Sequence, residues 1–201
     1  MTDKNLQRAK EIFFQYACNH FHLDREVDAE EYKKFDISNK QETIWTREYV
    51  SYWISQLSVD DLRAINSLRF AYAEEALPEM IRLSILGDSF SKLSYANAIW
   101  DIAHGGMMSP ILRERARRKA VSLWQSILEN PIELTVDHRK EVSQISATPD
   151  EYILDYAKSK LRESKGRNGF HFLLVSLFMG VFSVIGVIID FIDNIKRFGK
   201  V

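Results

Sequence analysis

FLLVSLFMGVFSVIGVII, residues Phe172–Ile189, is eighteen consecutive positions without a charged side chain. Between Arg167 and Asp190 only His171 can carry charge. The 22 residues separating those two would rise about 33 Å as a helix, enough for a hydrocarbon core of roughly 30 Å. A helix on the surface of a soluble domain keeps one polar face, whereas apolar residues stand on every side here. The stretch predicts one transmembrane helix over 170–192, followed by a short basic tail, 193–201. A span at the C-terminal end is no secretory signal, and the opening MTDKNLQRAKEIFFQY lacks the signal pattern. The expected layout is a single-pass, tail-anchored chain.

Within that stretch the small and polar residues are ordered. Ser176, Gly180, Ser183, Val187, Asp190, Asn194 and Arg197 recur at alternating steps of four and three, which places them on one stripe of a helix. Small residues four apart let two helices approach closely, and serine can hydrogen-bond across such a contact. The stripe Ser176, Gly180, Ser183, Val187 and Asp190 is therefore the expected packing face of a homo-oligomer. In a closed ring of copies, Ser176, Ser183 and Asp190 would line a narrow pore.

Outward from the span, charge is uneven. The whole chain carries −1, but residues 158–201 carry +5 and residues 1–157 carry −6. Lys158, Lys160, Arg162, Lys165 and Arg167 form a basic juxtamembrane linker, 158–169, suited to contact with anionic lipid. These five basic residues precede the span and three follow it, so the bulk of the chain is expected in the cytoplasm. An acidic front argues against nucleic acid as its main partner. One cysteine, Cys18, excludes an internal disulfide.

The front, 1–157, is long enough for one domain with its own core. No glycine precedes Gly87, and the helical period recurs throughout, so the fold class is all-α: a compact multi-helix domain before the span. Leu6, Ala9, Phe13, Tyr16, Ala17 and Phe21 predict one amphipathic helix over 3–21, and a short helix is expected within 24–36. Ser38 with Gln41, and Ser58 with Asp61, read as helix starts. Pro78 suits a first turn of a helix stopping at Gly87. Asp88 or Ser89 opens the next, with Leu93, Ala96, Ile99, Trp100 and Ala103 inward until Gly105 and Gly106. Ser109-Pro110 opens a helix through Leu128, a weaker one covers 135–146, and Thr148-Pro149 opens one leading to the span. SKGRNG, Ser164–Gly169, is the expected hinge.

Candidate chemistry is sparse. Cys18, His20, His22 and Asp24 are metal-ligand types, but residues two apart on a helix diverge, so a helix end with Phe21 inward is expected instead. Asp101 and His104 share a face as in carboxylate-bridged metal bundles, yet no second such pair exists, and His104 is expected to meet the helix C-terminal dipole. Pro149-Asp150 with Asp155 and Lys158 imitates a nuclease signature, on a helix rather than strands. Phosphate-loop, nucleophile-elbow and zinc-protease patterns are absent. No catalytic residue, metal or cofactor is therefore expected. Arg113, Arg117 and Arg118 are the densest charged signal, opposite Leu112, Ala116, Ala120, Leu123 and Trp124, and could contact phosphate or anionic lipid.

An all-α domain before a C-terminal anchor resembles the layout of tail-anchored apoptosis regulators. Their Asn-Trp-Gly-Arg segment is missing, and Trp100-Asp101 ahead of Gly105-Gly106 does not replace it. No role is carried over from them. The expected function is a membrane-tethered helical interaction or effector protein that self-associates through its span, forms a pore or permeabilises the membrane, and meets a cytoplasmic protein partner. The alternative is a membrane-anchored enzyme, or an RNA- or anionic-lipid-binding protein, using the basic helix 113–119.

Overall fold

A computed structural model describes residues 3–106 and 108–165. In chain order its helices are α1 (Asp3–Gln15), α2 (His20–Leu23), α3 (Ala29–Lys33), α4 (Asn39–Ser55), α5 (Arg63–Phe70), a 3₁₀ turn (Glu74–Ala76), α6 (Leu77–Leu83), α7 (Ser89–Gly105), α8 (Pro110–Glu129) and α9 (Val136–Ser143). A further helix, α10, covers 149–158. No strand occurs among the described residues, and the all-α class follows. The chain divides into two units, Met1–Lys158 and Ser159–Val201; the described residues of the second, 159–165, are helical.

Short polar side chains open four helices, three of them at starts that the sequence marks. Ser38, Asp88, Ser109 and Thr135 each accept a hydrogen bond from the backbone N–H three residues on, at 3.3, 2.8, 3.4 and 3.3 Å. Such caps satisfy donors that a helix start leaves open, for about 1 kcal/mol each. Ahead of α5 the cap residue is Leu62, which has no side-chain bond, and Asp61 Oδ1 instead accepts from the Arg63 N–H two positions on, at 3.0 Å.

The helix ends depart from the sequence pattern. Instead of one helix over 3–21, α1 stops at Gln15. The Cys18 N–H bonds the Phe13 carbonyl at 2.8 Å and the Ala17 N–H bonds the Phe14 carbonyl at 3.0 Å, while Ala17 and Cys18 take φ of 53° and 56°. These two bonds close the helix in the Schellman pattern, with alanine where glycine is usual. Asn19 then opens α2 by accepting from the Phe21 N–H at 3.0 Å. The restart re-aims the side chains, and Phe21, expected inward, is 54% exposed. The helix after Pro78 likewise ends at Leu83 rather than Gly87, where the Ser84 N–H closes on the Met80 carbonyl at 2.9 Å.

Two apolar centres result. Ala9, Ile12, Phe13, Leu23, Tyr32 and Trp45 form one, bringing α1 to α4 together. The other surrounds α7, ten of whose seventeen residues are buried, so it is enclosed on every side rather than along one stripe. It packs against α5, α6 and, most extensively, α8. Trp124 of α8 is fully buried against Trp100 of α7, ring centroids 5.2 Å apart. A buried tryptophan removes roughly 150–250 Å² from water, on the order of 4–6 kcal/mol before entropy is charged. Leu112, expected on that apolar line, is 38% exposed because it lies in the first turn, beyond the seam.

Among the described residues no helix is long and apolar enough to cross a membrane. The predicted span 170–192, and with it Ser176, Gly180, Ser183, Val187 and Asp190, lies outside the described residues, as does Arg167.

Candidate functional site

The C-terminal end of α7 gathers a group of polar and aromatic side chains. Its last turn presents carbonyl oxygens without helical partners, a site that favours cations. Arg113, on the first turns of α8, donates from Nη2 to the Gly106 carbonyl at 3.2 Å. Arg117, one turn on, donates from Nη2 to His104 Nε2 at 2.8 Å, with its guanidinium carbon 5.4 Å from the centre of the Trp100 ring. The Nε atoms of both arginines are buried without a hydrogen-bond partner, so these side chains lie inward along the protein.

His104 is fixed in one form by its neighbours. A guanidinium only donates, so Nε2 must accept; a carbonyl only accepts, so Nδ1 must donate to the Trp100 oxygen 2.7 Å away. The geometry therefore requires the neutral Nδ1–H tautomer, its ring 4.4 Å from that of Trp100. One helical turn earlier Asp101 meets Arg69 of α5, Nε to Oδ2 at 2.6 Å, an ion pair left about one-third exposed. A pair so exposed contributes about 0–1 kcal/mol, but it fixes where both charges stand.

Tyr72 completes the wall. The Ala73 N–H to Leu68 carbonyl bond, at 3.0 Å, and the Tyr72 N–H to Arg69 carbonyl bond, at 3.1 Å, end α5, leaving Tyr72 at φ 49°. A left-handed conformation costs an L-residue roughly 1–2 kcal/mol and is rare for a bulky one. The ring is thereby laid over Gly105, where an added Cβ would come within 2.1 Å of Tyr72 Cε1. That glycine is thus required for close approach, not only as a helix stop.

Between these groups opens a cleft of about 330 Å³, lined by His22, Arg69, Phe70, Tyr72, Asp101, His104 and Gly105. His22 stands edge-on to Phe70 at 5.4 Å, its Nε2 buried without a hydrogen-bond partner, and both residues also line a second cleft of about 470 Å³ with Tyr16, Tyr49, Arg63 and Asn66. The lining suits recognition of a polar, planar group: aromatic faces, a paired cation and carboxylate, and a hydroxyl. Both nitrogens of His104 are committed, and the cleft wall contains no serine, threonine or cysteine.

The structure thus joins two features that the sequence presents separately, the Asp101–His104 pair and the basic helix. Arg118 does not take part; it pairs with Glu114 at 2.8 Å on the outer side of α8. Lys158 pairs with Asp155 at 3.2 Å and Lys160 with Glu163 at 2.9 Å, while Arg162 and Lys165 are exposed. Cys18, His20, His22 and Asp24 separate: His20 meets Glu42 at 3.1 Å, His22 faces the cleft, and burial pushes the Cys18 thiol up to about 12. Among the described residues no three His, Cys, Asp or Glu side chains converge as metal ligands.

A second polar centre, which the sequence does not announce, lies at the other end of α7. Asp88 is buried and accepts three hydrogen bonds, from the Ser91 N–H at 2.8 Å, the Thr135 N–H at 2.9 Å and His138 Nδ1 at 2.8 Å. Burial alone would raise its carboxyl, but the two backbone donors and His138 outweigh that and hold it below its usual range. Ser89 beside it exchanges hydrogen bonds with the backbone of Ile132 in both directions, at 2.8 and 3.3 Å. The segment after α8 is so fastened to the start of α7. Asp88 is legible as a cap, but nothing in the local pattern shows that His138, fifty positions on, shares it.

No protein-family model, curated protein or solved structure matches the chain.

Proposed function

We propose that the chain is a membrane-tethered helical interaction protein whose copies associate through the tail, the helical front acting as the recognition part. The observation that carries this is Phe172–Ile189, whose length and lack of charge suit a bilayer span. The Ser176–Gly180–Ser183 stripe supports association of copies, since small residues at that spacing need a partner helix rather than lipid to be useful. Closing such copies into a ring would give permeation with an acidic mouth at Asp190.

The front supports a recognition role through the cleft at the end of α7, where Tyr72 is held in a costly backbone conformation over Gly105. Strain of this kind persists where the surroundings over-determine it, and such places are often binding sites. The alternative use of the basic helix has a narrower basis, because Arg113 and Arg117 already spend donors on Gly106 and His104.

The test uses the full chain. Membranes bearing it are washed with high salt and with alkaline carbonate, then dissolved in mild detergent, and the mass of the protein part is measured by light scattering. The expected result is release by detergent alone and a mass of several copies that Gly180→Ile reduces. Release by carbonate would overturn the span; an unchanged mass in Gly180→Ile would overturn the packing stripe.

A further inference from the structure

The outer face of α8 carries groups that the core does not use. Ile111, Arg115 and Arg118 stand at steps of four and three, on one stripe directed away from the buried Ala116, Ala120, Leu123 and Trp124. Ile111 is 83% exposed and Leu112 next to it 38%, while Arg118 keeps 79% of its side chain in solvent. A shallow groove of about 480 Å³ runs among Pro110, Ile111, Glu114, Arg115 and Arg118. A single exposed isoleucine means little on a protein surface. Here, however, two adjacent apolar side chains project beside two outward arginines, in a domain whose net charge is −6 over residues 1–157.

We infer that this face of α8 rests on an anionic bilayer surface, with Ile111 and Leu112 entering the headgroup layer and Arg115 and Arg118 meeting lipid phosphates. The inference builds on the tethered reading above, which keeps the domain within a short reach of lipid. Charge decides the occupant. An acidic domain held next to an anionic leaflet is repelled in most orientations, and repulsion is relieved where a basic patch turns inward. Arginine suits the contact because its planar fork of donors meets two phosphate oxygens at once. Glu114 pairs with Arg118 through Nε at 2.8 Å, and the Arg118 side chain still keeps 79% of its surface in solvent, open to a phosphate. Ile111 shares its stripe with both arginines and Leu112 flanks it about 100° further round, so one approach brings apolar and basic groups to the surface together.

The experiment labels the full chain at Ile111→Cys with an environment-sensitive fluorophore. Cys18 competes little for the label, because burial holds its thiol at about 12, and the unsubstituted chain serves as the labelling control. The labelled protein is reconstituted into vesicles of phosphatidylcholine alone and of phosphatidylcholine with phosphatidylserine, and each is floated on a density gradient. The inference expects flotation with both vesicles, a blue shift and quenching by a lipid-phase quencher only with the anionic ones, and loss of that shift in Arg115→Glu/Arg118→Glu. Flotation without a shift overturns the lipid contact and leaves the anchor standing. An equal shift in neutral vesicles, as a second copy or another protein on this face would give, overturns it too, as does a shift that survives the double reversal. If the chain floats with neither vesicle, the anchor and the contact both fall.

Discussion

Removing the Asp88 carboxylate should be among the most damaging single changes in the helical domain. The side chain is 3% exposed and holds three donors: the Ser91 N–H, the Thr135 N–H and the Nδ1–H of His138. Asp88→Ala leaves all three facing an apolar interior, and each unsatisfied buried donor costs about 1–3 kcal/mol. Water admitted to the vacated space would recover part of this, so a net loss of about 3–5 kcal/mol is expected. Asp88→Asn keeps one acceptor oxygen but sets an N–H against a donor, for about 2 kcal/mol. The assay is urea unfolding of the full chain in mild detergent, followed by tryptophan fluorescence. With a slope of about 2 kcal/mol/M, the alanine variant should shift the midpoint down by about 2 M. The pH dependence adds a second readout. Because the folded carboxyl lies below its unfolded value, the stability it supplies is fully present above about pH 4 and is lost as the pH falls through the folded value. The gap between wild type and Asp88→Asn should therefore close on acidification below pH 4. A loss under about 1 kcal/mol in Asp88→Ala, or a gap that stays constant to pH 3, would refute the claim that this carboxylate fastens α9 and the preceding segment to α7.

Gly105→Ala should cost about 1–3 kcal/mol, read as a lowered melting temperature, since the new methyl would meet Tyr72 Cε1 at 2.1 Å and the ring has to leave the cleft wall. Asp36→Gly should raise stability by about 0.5 kcal/mol, because exposed Asp36 closes α3 at φ 49° and glycine accepts that conformation freely; an unchanged or lower melting temperature would contradict this. Cys18 should resist maleimide at pH 7.5 in the folded chain and react promptly in urea, checked by mass spectrometry, as burial raises its thiol to about 12.

Helix starts were legible because a cap is local chemistry. Ser38, Asp88 and Ser109 each reach a backbone N–H three positions on, and no distant residue is needed to recognise them. Helix ends divided: those of α7 and α8 fall where Gly105-Gly106 and Asn130 mark them, whereas those of α1, α3 and α5 were not legible, because left-handed Ala17, Asp36 and Tyr72 follow them. Residue type gives no warning when alanine or tyrosine takes the place of glycine, and the apolar spacing of Tyr16, Ala17 and Phe21 runs on through the break. The candidate site shows the same division. Asp101, His104, Arg113 and Arg117 each stood out in the sequence, and His22 did so only as a metal-ligand type, whereas Arg69 and Tyr72 reach the cleft from α5 and the turn after it through tertiary packing alone. The pairing of His138 with Asp88 spans fifty positions and has no local signature.

The basic run on α8 divides by helical geometry, and the division decides how it can be tested. Successive residues turn by about 100°, so Arg113 and Arg117, one position after Leu112 and Ala116, border the buried seam and can bend over the end of α7. Arg115 and Arg118 stand further round, on the solvent side. Reversing Arg113 or Arg117 to glutamate would place a carboxylate against the carbonyls of a helix C-terminus and against the lone pair of His104 Nε2, an arrangement that both the dipole and the hydrogen bonding oppose. Loss of activity in such a variant would report damaged packing as readily as lost phosphate contact. Arg115 and Arg118 carry no such burden, since the Arg118 partner Glu114 is itself 53% exposed and an exposed pair contributes about 0–1 kcal/mol. Of the clustered arginines on α8, only this outer pair can separate a surface role from a structural one.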